Sequence, residues 1–248
     1  AGDVDGEVKF SNVNTNKSKA DALVGLDFME KDLLSLEWVS LVVTWFASGT
    51  DIASCAIYPA VESNDLKTGS APVHWNVAGK TRWQVRQVSK REDGSLNYGG
   101  TVCDASVIRM LKELKARGKK VMFYPMIFVE THQKPWRGRI TGSPSFIKSF
   151  FTRPEGYNNF ILHYARLASG MCDAFVVGSE MIGITCMKEG VEEFVNLASA
   201  VKKIMPVGTK ITYAADWSEY HSKNGFYNMD ALWASESIDF IGIDAYFP

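Results

Sequence analysis

DAFVVGSEM, residues 173–181, is an apolar run that stops abruptly at Gly178-Ser179 and is followed at once by a carboxylate, Glu180. Six consecutive residues without a charge, rich in β-branched and aromatic side chains, suit a strand buried on both faces. The same grammar recurs on either side. VSLVVTWF (39–46) ends at Thr44-Trp45, and KVMFYPMIF (120–128) leads to Glu130 and His132. KITYAA (210–215) runs into Asp216-Trp217-Ser218-Glu219, and IDFIGID (238–244) ends at Asp244 with Tyr246 beyond. Polar chemistry therefore gathers at the carboxyl end of nearly every predicted strand.

Helical spacing fills the intervals. Leu23, Leu26, Met29, Leu33, Leu34 and Leu36 predict a helix over 21–37. SVIRMLKELKARG (106–118) predicts another, with Thr101 or Asp104 as its cap and Gly118 as its stop. Further helices are expected near 156–169, 190–204 and 228–234. Residues 50–100 read as an inserted loop carrying a hairpin, with turn signals at Asp93-Gly94 and Gly99-Gly100. Residues 1–20 are polar, and Lys9-Phe10 could end a short strand. Alternating buried strands and amphipathic helices mean an α/β fold with a parallel sheet. A doubly wound nucleotide-binding sheet wants a glycine-rich turn after its first strand, and neither G-x-G-x-x-G nor a Walker-type loop occurs. A (β/α)8 barrel places its active site at the strand carboxyl ends, where the polar residues lie.

Composition narrows the function classes. The 248 residues are 46% hydrophobic with a net charge of -1, which argues against disorder, a nucleic-acid partner or a polybasic membrane anchor. Apolar runs break after roughly ten residues, too short for a membrane-crossing helix. Cys55, Cys103, Cys172 and Cys186 have no zinc or redox spacing and read as reduced thiols. Ala1 is not an initiator Met and no apolar leader follows it, so a processed product or a piece of a longer chain is expected.

Glu180 is the sharpest chemical candidate. Glycoside hydrolysis needs two carboxylates flanking the scissile bond, one of them able to donate a proton. A Glu desolvated by aromatic neighbours has the raised pKa this requires. Trp45, Trp217 and Tyr246 could offer stacking faces to sugar rings. The alternative for Glu180 is a structural ion pair with Arg137. Asp216 could order its loop or meet a ligand, Glu219 could meet a ligand or cap a turn, and Asp244 could bind a ligand or support a neighbour. His163, inside an apolar helix, reads as structural; His132 and His221 are weaker candidates. No G-x-S-x-G elbow is present.

Seven stretches resemble the TIM-barrel-like domain of gene transfer agent and phage tail baseplate proteins: VSLVVTWF (39–46), YGGTVCDASVIRMLKELKARGKKVMFYPMIF (98–128), WRGRITG (136–142), FILHYARL (160–167), DAFVVGSEMIGIT (173–185), KITYAADWSEY (210–220) and LWASESIDFIGIDAYFP (232–248). More distantly, the same blocks are similar to mannanase-type retaining glycoside hydrolases. The resemblance implies a (β/α)8 barrel in which Glu180 is the general acid/base. It also implies sugar-site or rim roles for Trp45, Trp136 and Arg137. No cofactor or metal is implied. Carbohydrate and other tail proteins are the implied partners, with a bacterial cytoplasmic stage before incorporation into a particle. With VVTWF as strand two, Glu180 follows strand four and Asp244 follows strand six. The family's nucleophile would follow strand seven, to which no residue here corresponds. The barrel is therefore expected to be truncated after strand six, a single domain over 1–248. It is either part of a retaining glycosidase or a degenerate, carbohydrate-binding or structural domain. A generic metabolic barrel ranks below both, because no phosphate-binding glycine motif is evident near the end.

Overall fold

The computed structural model describes residues 13–17, 19–64, 75–221 and 227–246. The strand end expected at Lys9-Phe10 lies outside the described residues. Helix α1 (Asp21–Asp32) leads into strand β1 (Trp38–Ala47). Five short strands follow: β2 (Ile57–Tyr58), β3 (Ala60–Val61), β4 (Asn76–Val77), β5 (Lys80–Thr81) and β6 (Arg86–Gln87). Then come α2 (Asp104–Ala116), β7 (Lys120–Val129), α3 (Ile147–Thr152), α4 (Tyr157–Ala168) and β8 (Ala174–Ser179). The chain continues through α5 (Ile182–Thr185), α6 (Lys188–Ile204), β9 (Lys210–Asp216), α7 (Asp230–Trp233) and β10 (Gly242–Asp244).

Strands β1, β7, β8, β9 and β10 are parallel and pair in chain order, with β2 added antiparallel to the far side of β1. A doubly wound sheet reverses direction at its middle, whereas a barrel adds each strand beside the last. The observed order is that of a barrel wall. Strand alternation gives the wall two faces. Phe123, Phe175, Ile211 and Tyr213 face the helices, and Tyr124, Val176 and Ala214 cluster on the inner face.

The helical layer is held by aromatic side chains. Phe194 meets Phe151 at 5.1 Å and Tyr213 at 4.9 Å, both edge to face, and Phe160 meets Tyr164 likewise at 5.7 Å. Each fully buried ring stabilises the fold by about 1.5–3 kcal/mol through transfer from water. At the sheet's outer strands the cover is thinner. Val42, on the inner face of β1, and Ile241 and Ile243, around β10, are large apolar side chains that stay about half exposed among the described residues.

Several local expectations shift. Helix α1 stops at Asp32, so Leu33 and Leu34 lie in an exposed turn rather than on a helical face. Neither proposed residue caps α2, whose N-cap is Cys103. The Thr101 hydroxyl instead donates to the Thr44 carbonyl, and Asp104 accepts from the Ala78 amide. Gly118 ends α2 with φ +74°, as its freedom from a Cβ allows. The hairpin in the insertion turns at Ala78-Gly79, both at positive φ, while Asp93-Gly94 makes a separate tight turn.

Strand β10 is shorter than the run 238–244 suggested, and the cause is visible at its foot. Asp239 donates its amide to Ile211, and its carboxylate accepts the Ile211 amide at 2.8 Å. Thr212 then donates its hydroxyl to the Phe240 carbonyl. Side chains thus occupy ladder positions until Gly242, where a Cβ would come within 2.6 Å of the Tyr213 carbonyl oxygen. Asp173 repeats the device at the foot of β8, accepting the Val121 amide at 2.7 Å and donating its own amide to Val121. Burial works against both carboxylates. Hydrogen bonds from Lys115 and the Val121 amide, and from Lys202 and the Ile211 amide, outweigh it and hold both below the usual range.

Replacing Asp173 by Ala strands the amide of Val121, which is fully buried. The expected loss is about 1–3 kcal/mol in urea unfolding. Asp173→Asn, which keeps an acceptor, should lose clearly less; equal losses would show that the Lys115 ion pair, not the amide, matters.

Candidate active site

The site grows from the end of β8. Gly178 lets α6 and β9 close on the strand, since a Cβ there would lie 2.6 Å from Phe194 and 2.8 Å from Tyr213. The β8–β9 register shifts between Val176 and Ser179, an irregularity that re-aims the following side chains. Glu180 then adopts φ +49°, the left-handed region that a residue with a Cβ enters at a cost of roughly 1–2 kcal/mol. Its amide donates to the Ala214 carbonyl at 2.8 Å, and the next amide, Met181, donates to the Tyr213 hydroxyl at 2.7 Å.

The segment after β7 supplies the partners of Glu180. The Trp136 indole N–H donates to Glu180 Oε2 at 2.6 Å, and Arg137 Nη2 lies 2.9 Å from the same oxygen. Trp136 reaches this position by folding over Gly138, where a Cβ would come within 2.4 Å of the indole ring. Arg137 also donates to the Ser179 carbonyl at 3.0 Å and to the Ser179 hydroxyl at 2.8 Å. Strand β10 adds Asp244. Its Oδ2 accepts from the Tyr124 hydroxyl at 2.5 Å and from the Ser179 hydroxyl at 3.2 Å, and it lies 3.9 Å from Arg137 Nη2.

One guanidinium thus faces two carboxyls in a nearly closed space. Burial raises the pKa of Glu180, and the neighbouring Asp244 carboxyl raises it further. The Trp136 hydrogen bond and the Arg137 charge oppose the rise. The arrangement can store a proton at Glu180 and can also stabilise the carboxylate left when that proton departs. Burial likewise pushes the Tyr124 hydroxyl far above its usual range, with Asp244 adding to the effect, so Tyr124 remains a donor.

The other expected residues are distributed unequally. Asp216 stands opposite Asp244 in the β9–β10 register, and its carboxylate accepts the Ser218 amide and hydroxyl, ordering the turn. Trp217 and Tyr246 are exposed at the same end of the sheet. Glu219 is wholly buried beneath it. Trp45 points the other way. It lies among the helices, its indole donating to the Tyr164 hydroxyl at 3.1 Å beside Phe160 and His163. Position 45 shares its face with the helix-packed side of β1, so its ring does not meet Glu180. His163 bonds Asp104 at 2.9 Å on that outer side, at a cleft of about 660 Å³. Tyr124 and Ser179 complete the cluster; the pattern marked Ser179 only as a polar strand end and Tyr124 only as a hydroxyl inside an apolar run. Among the described residues no group of His, Cys, Asp and Glu has the arrangement of a metal site, and no helix is long and apolar enough to cross a membrane.

Glu219 has a measurable consequence of its own. Burial pushes its pKa up to about 7, against hydrogen bonds from Thr185, Tyr213 and the Asp216 amide that favour ionisation. An unfolded glutamate titrates near roughly 4.3. Between those values the folded state holds a proton the unfolded state has released, so stability falls as pH rises through the window. The full effect is on the order of 3 kcal/mol by pH 8. Thermal unfolding at pH 5 and pH 8 should therefore show a steeper loss in the parent protein than in Glu219→Gln. Equal slopes would mean that Glu219 is already ionised at pH 5.

Comparison with known proteins bears on the fold. Residues 155–248 match the GTA TIM-barrel-like domain. No curated protein is significantly similar in sequence. Two solved structures of GH113 β-1,4-mannanase, one of them a complex, superpose with TM-scores of 0.56 and 0.52 at 19% identity. Each alignment covers 92% of this chain but only 57% of the mannanase chain, so the chain spans little more than half the length of these enzymes. At that identity the likeness concerns the fold. The resemblance expected from the sequence is borne out, most directly for the carboxyl-terminal part: the chain has a TIM-barrel-like fold resembling that of GH113 mannanases, and residues 155–248 are similar to the GTA TIM-barrel-like domain.

Proposed function

We propose that this domain supplies the acid/base side of a retaining glycoside hydrolase site that acts on β-linked glycans of a cell surface, as part of a gene transfer agent or phage tail-like particle. The observation that carries the reading is the setting of Glu180: a carboxyl at a strand's carboxyl end, desolvated, hydrogen-bonded by Trp136 and flanked by Arg137 and Asp244. Glu180 gives its proton to the glycosidic oxygen as the bond to the anomeric carbon breaks. It later takes a proton from the water that releases the sugar. Arg137 stabilises the carboxylate between those steps, and Asp244 favours the return of the proton. Exposed Trp136, Trp217 and Tyr246 offer faces for sugar rings.

Asp244 does not fit the nucleophile's role. A retaining pair stands about 5–5.5 Å apart to admit the sugar. Asp244 Oδ2 is instead engaged by the Tyr124 and Ser179 hydroxyls and faces the Arg137 guanidinium that also holds Glu180. The nucleophile in this reading comes from outside the described residues. β-1,4-Linked manno-oligosaccharides are the first substrates to try, given the fold's likeness to mannanases.

One observation favours a second reading, a glycan-binding domain without turnover. The Glu180 side chain is only 7% exposed, and its Oε2 already serves two donors.

Hydrolysis by the full polypeptide separates the two. Glu180→Gln should lower the rate by about 10²–10⁴-fold. Glu180→Ala should keep cleaving aryl glycosides whose leaving group needs no proton, and added azide should raise its turnover by replacing the activated water. Full activity of Glu180→Gln would overturn the acid assignment. Glycan retention lost in Trp217→Ala but kept in Glu180→Gln, with no hydrolysis in the parent, would favour the binding domain.

A further inference from the structure

Beneath Glu180 lies a second carboxylate that no substrate can reach. Glu219, Tyr213, Met181 and Thr185 are all wholly buried. Glu219 Oε1 accepts from the Thr185 hydroxyl at 2.5 Å and the Tyr213 hydroxyl at 2.7 Å, and Oε2 accepts from the Asp216 amide at 2.8 Å. The Tyr213 oxygen in turn accepts the Met181 amide. Asn228 ties the same region from the far side, donating to the carbonyls of Thr185 and Glu219 at 2.9 and 3.1 Å. These bonds converge on the residue after Glu180 and on the short helix α5 that follows. A strained left-handed residue persists only where its surroundings over-determine it. Here the Glu180 amide is held by Ala214 and the Met181 amide by Tyr213, so both peptides of the strained residue are fixed.

We propose that Glu219 is the positioning residue of Glu180: through Tyr213 it fixes the Met181 amide and so holds Glu180 in the left-handed conformation that brings its carboxyl to Trp136 and Arg137. This deepens the assignment of Glu180 as the acid and rests on it only for its functional meaning. Glu219 itself touches no reacting atom.

Trp136 reports the geometry directly. Its indole N–H, bonded at 2.6 Å to Glu180, should give a strongly downfield resonance in protein labelled with ¹⁵N at tryptophan, assigned through Trp136→Phe. Trp45, bonded to Tyr164 on the outer face, is the internal control for folding. In Tyr213→Phe and Glu219→Ala the Trp136 resonance should move upfield and broaden while the Trp45 resonance stays in place. Glu219→Gln keeps an acceptor for Tyr213 and should restore the parent position. If Glu219→Ala does not fold, Tyr213→Phe decides. A Trp136 resonance at its parent position in folded Tyr213→Phe would overturn the proposal. The readout needs no turnover: absence of hydrolysis would remove the acid role alone, and an unmoved resonance would remove the positioning role alone.

Discussion

The guanidinium of Arg137 joins three segments that the chain order keeps apart. It reaches from the turn after β7 to Ser179 and Glu180 at the end of β8 and toward Asp244 at the end of β10. A buried guanidinium is tolerated only when its donors are used, because leaving a charge unpaired in the interior costs several kcal/mol. Here its donors meet a carbonyl, a hydroxyl and a carboxylate. The planar fork of Arg suits such simultaneous bonding; a lysine ammonium would not span it. The rim of the barrel wall is organised around this contact, and the polar ends of the strands converge because it binds them.

Below the rim the logic is different. The wall is held by apolar and aromatic packing, in which Phe194 and Tyr213 meet across the space left by Gly178. Tyr213 belongs to both regimes. Its ring is part of the helical layer, and its hydroxyl is part of the polar network under the site. Packing and chemistry are thus coupled through single residues rather than through a separate scaffold and site.

Much of the wall was legible in the sequence, because parallel strands buried on both faces leave continuous apolar runs that few other structures produce. The polar residue after each run was legible for the same reason. What escaped depended on side chains replacing backbone. Asp239 and Thr212 take ladder positions, so an apolar run of seven yields a strand of three. Trp45 misled because a residue near a strand's end faces either side according to parity, and parity follows only from register against a neighbour. Glu219 carried no sign of burial, standing in a polar tetrapeptide beside an aromatic. Its interior position comes from Thr185, Tyr213 and the Asp216 amide, which are scattered in sequence. Tyr124 was hidden inside an apolar strand, where a hydroxyl is usually incidental.

The left-handed backbone at position 180 also restricts which residues can succeed glutamate there. β-Branched side chains are disfavoured in that region, while glycine, asparagine and aspartate enter it most readily. A lineage that abandoned proton transfer but kept the barrel would relieve the strain by drifting toward those three. Glutamate kept at this position therefore means that something still repays the strain, and its replacement by glycine or asparagine would record the loss of that need.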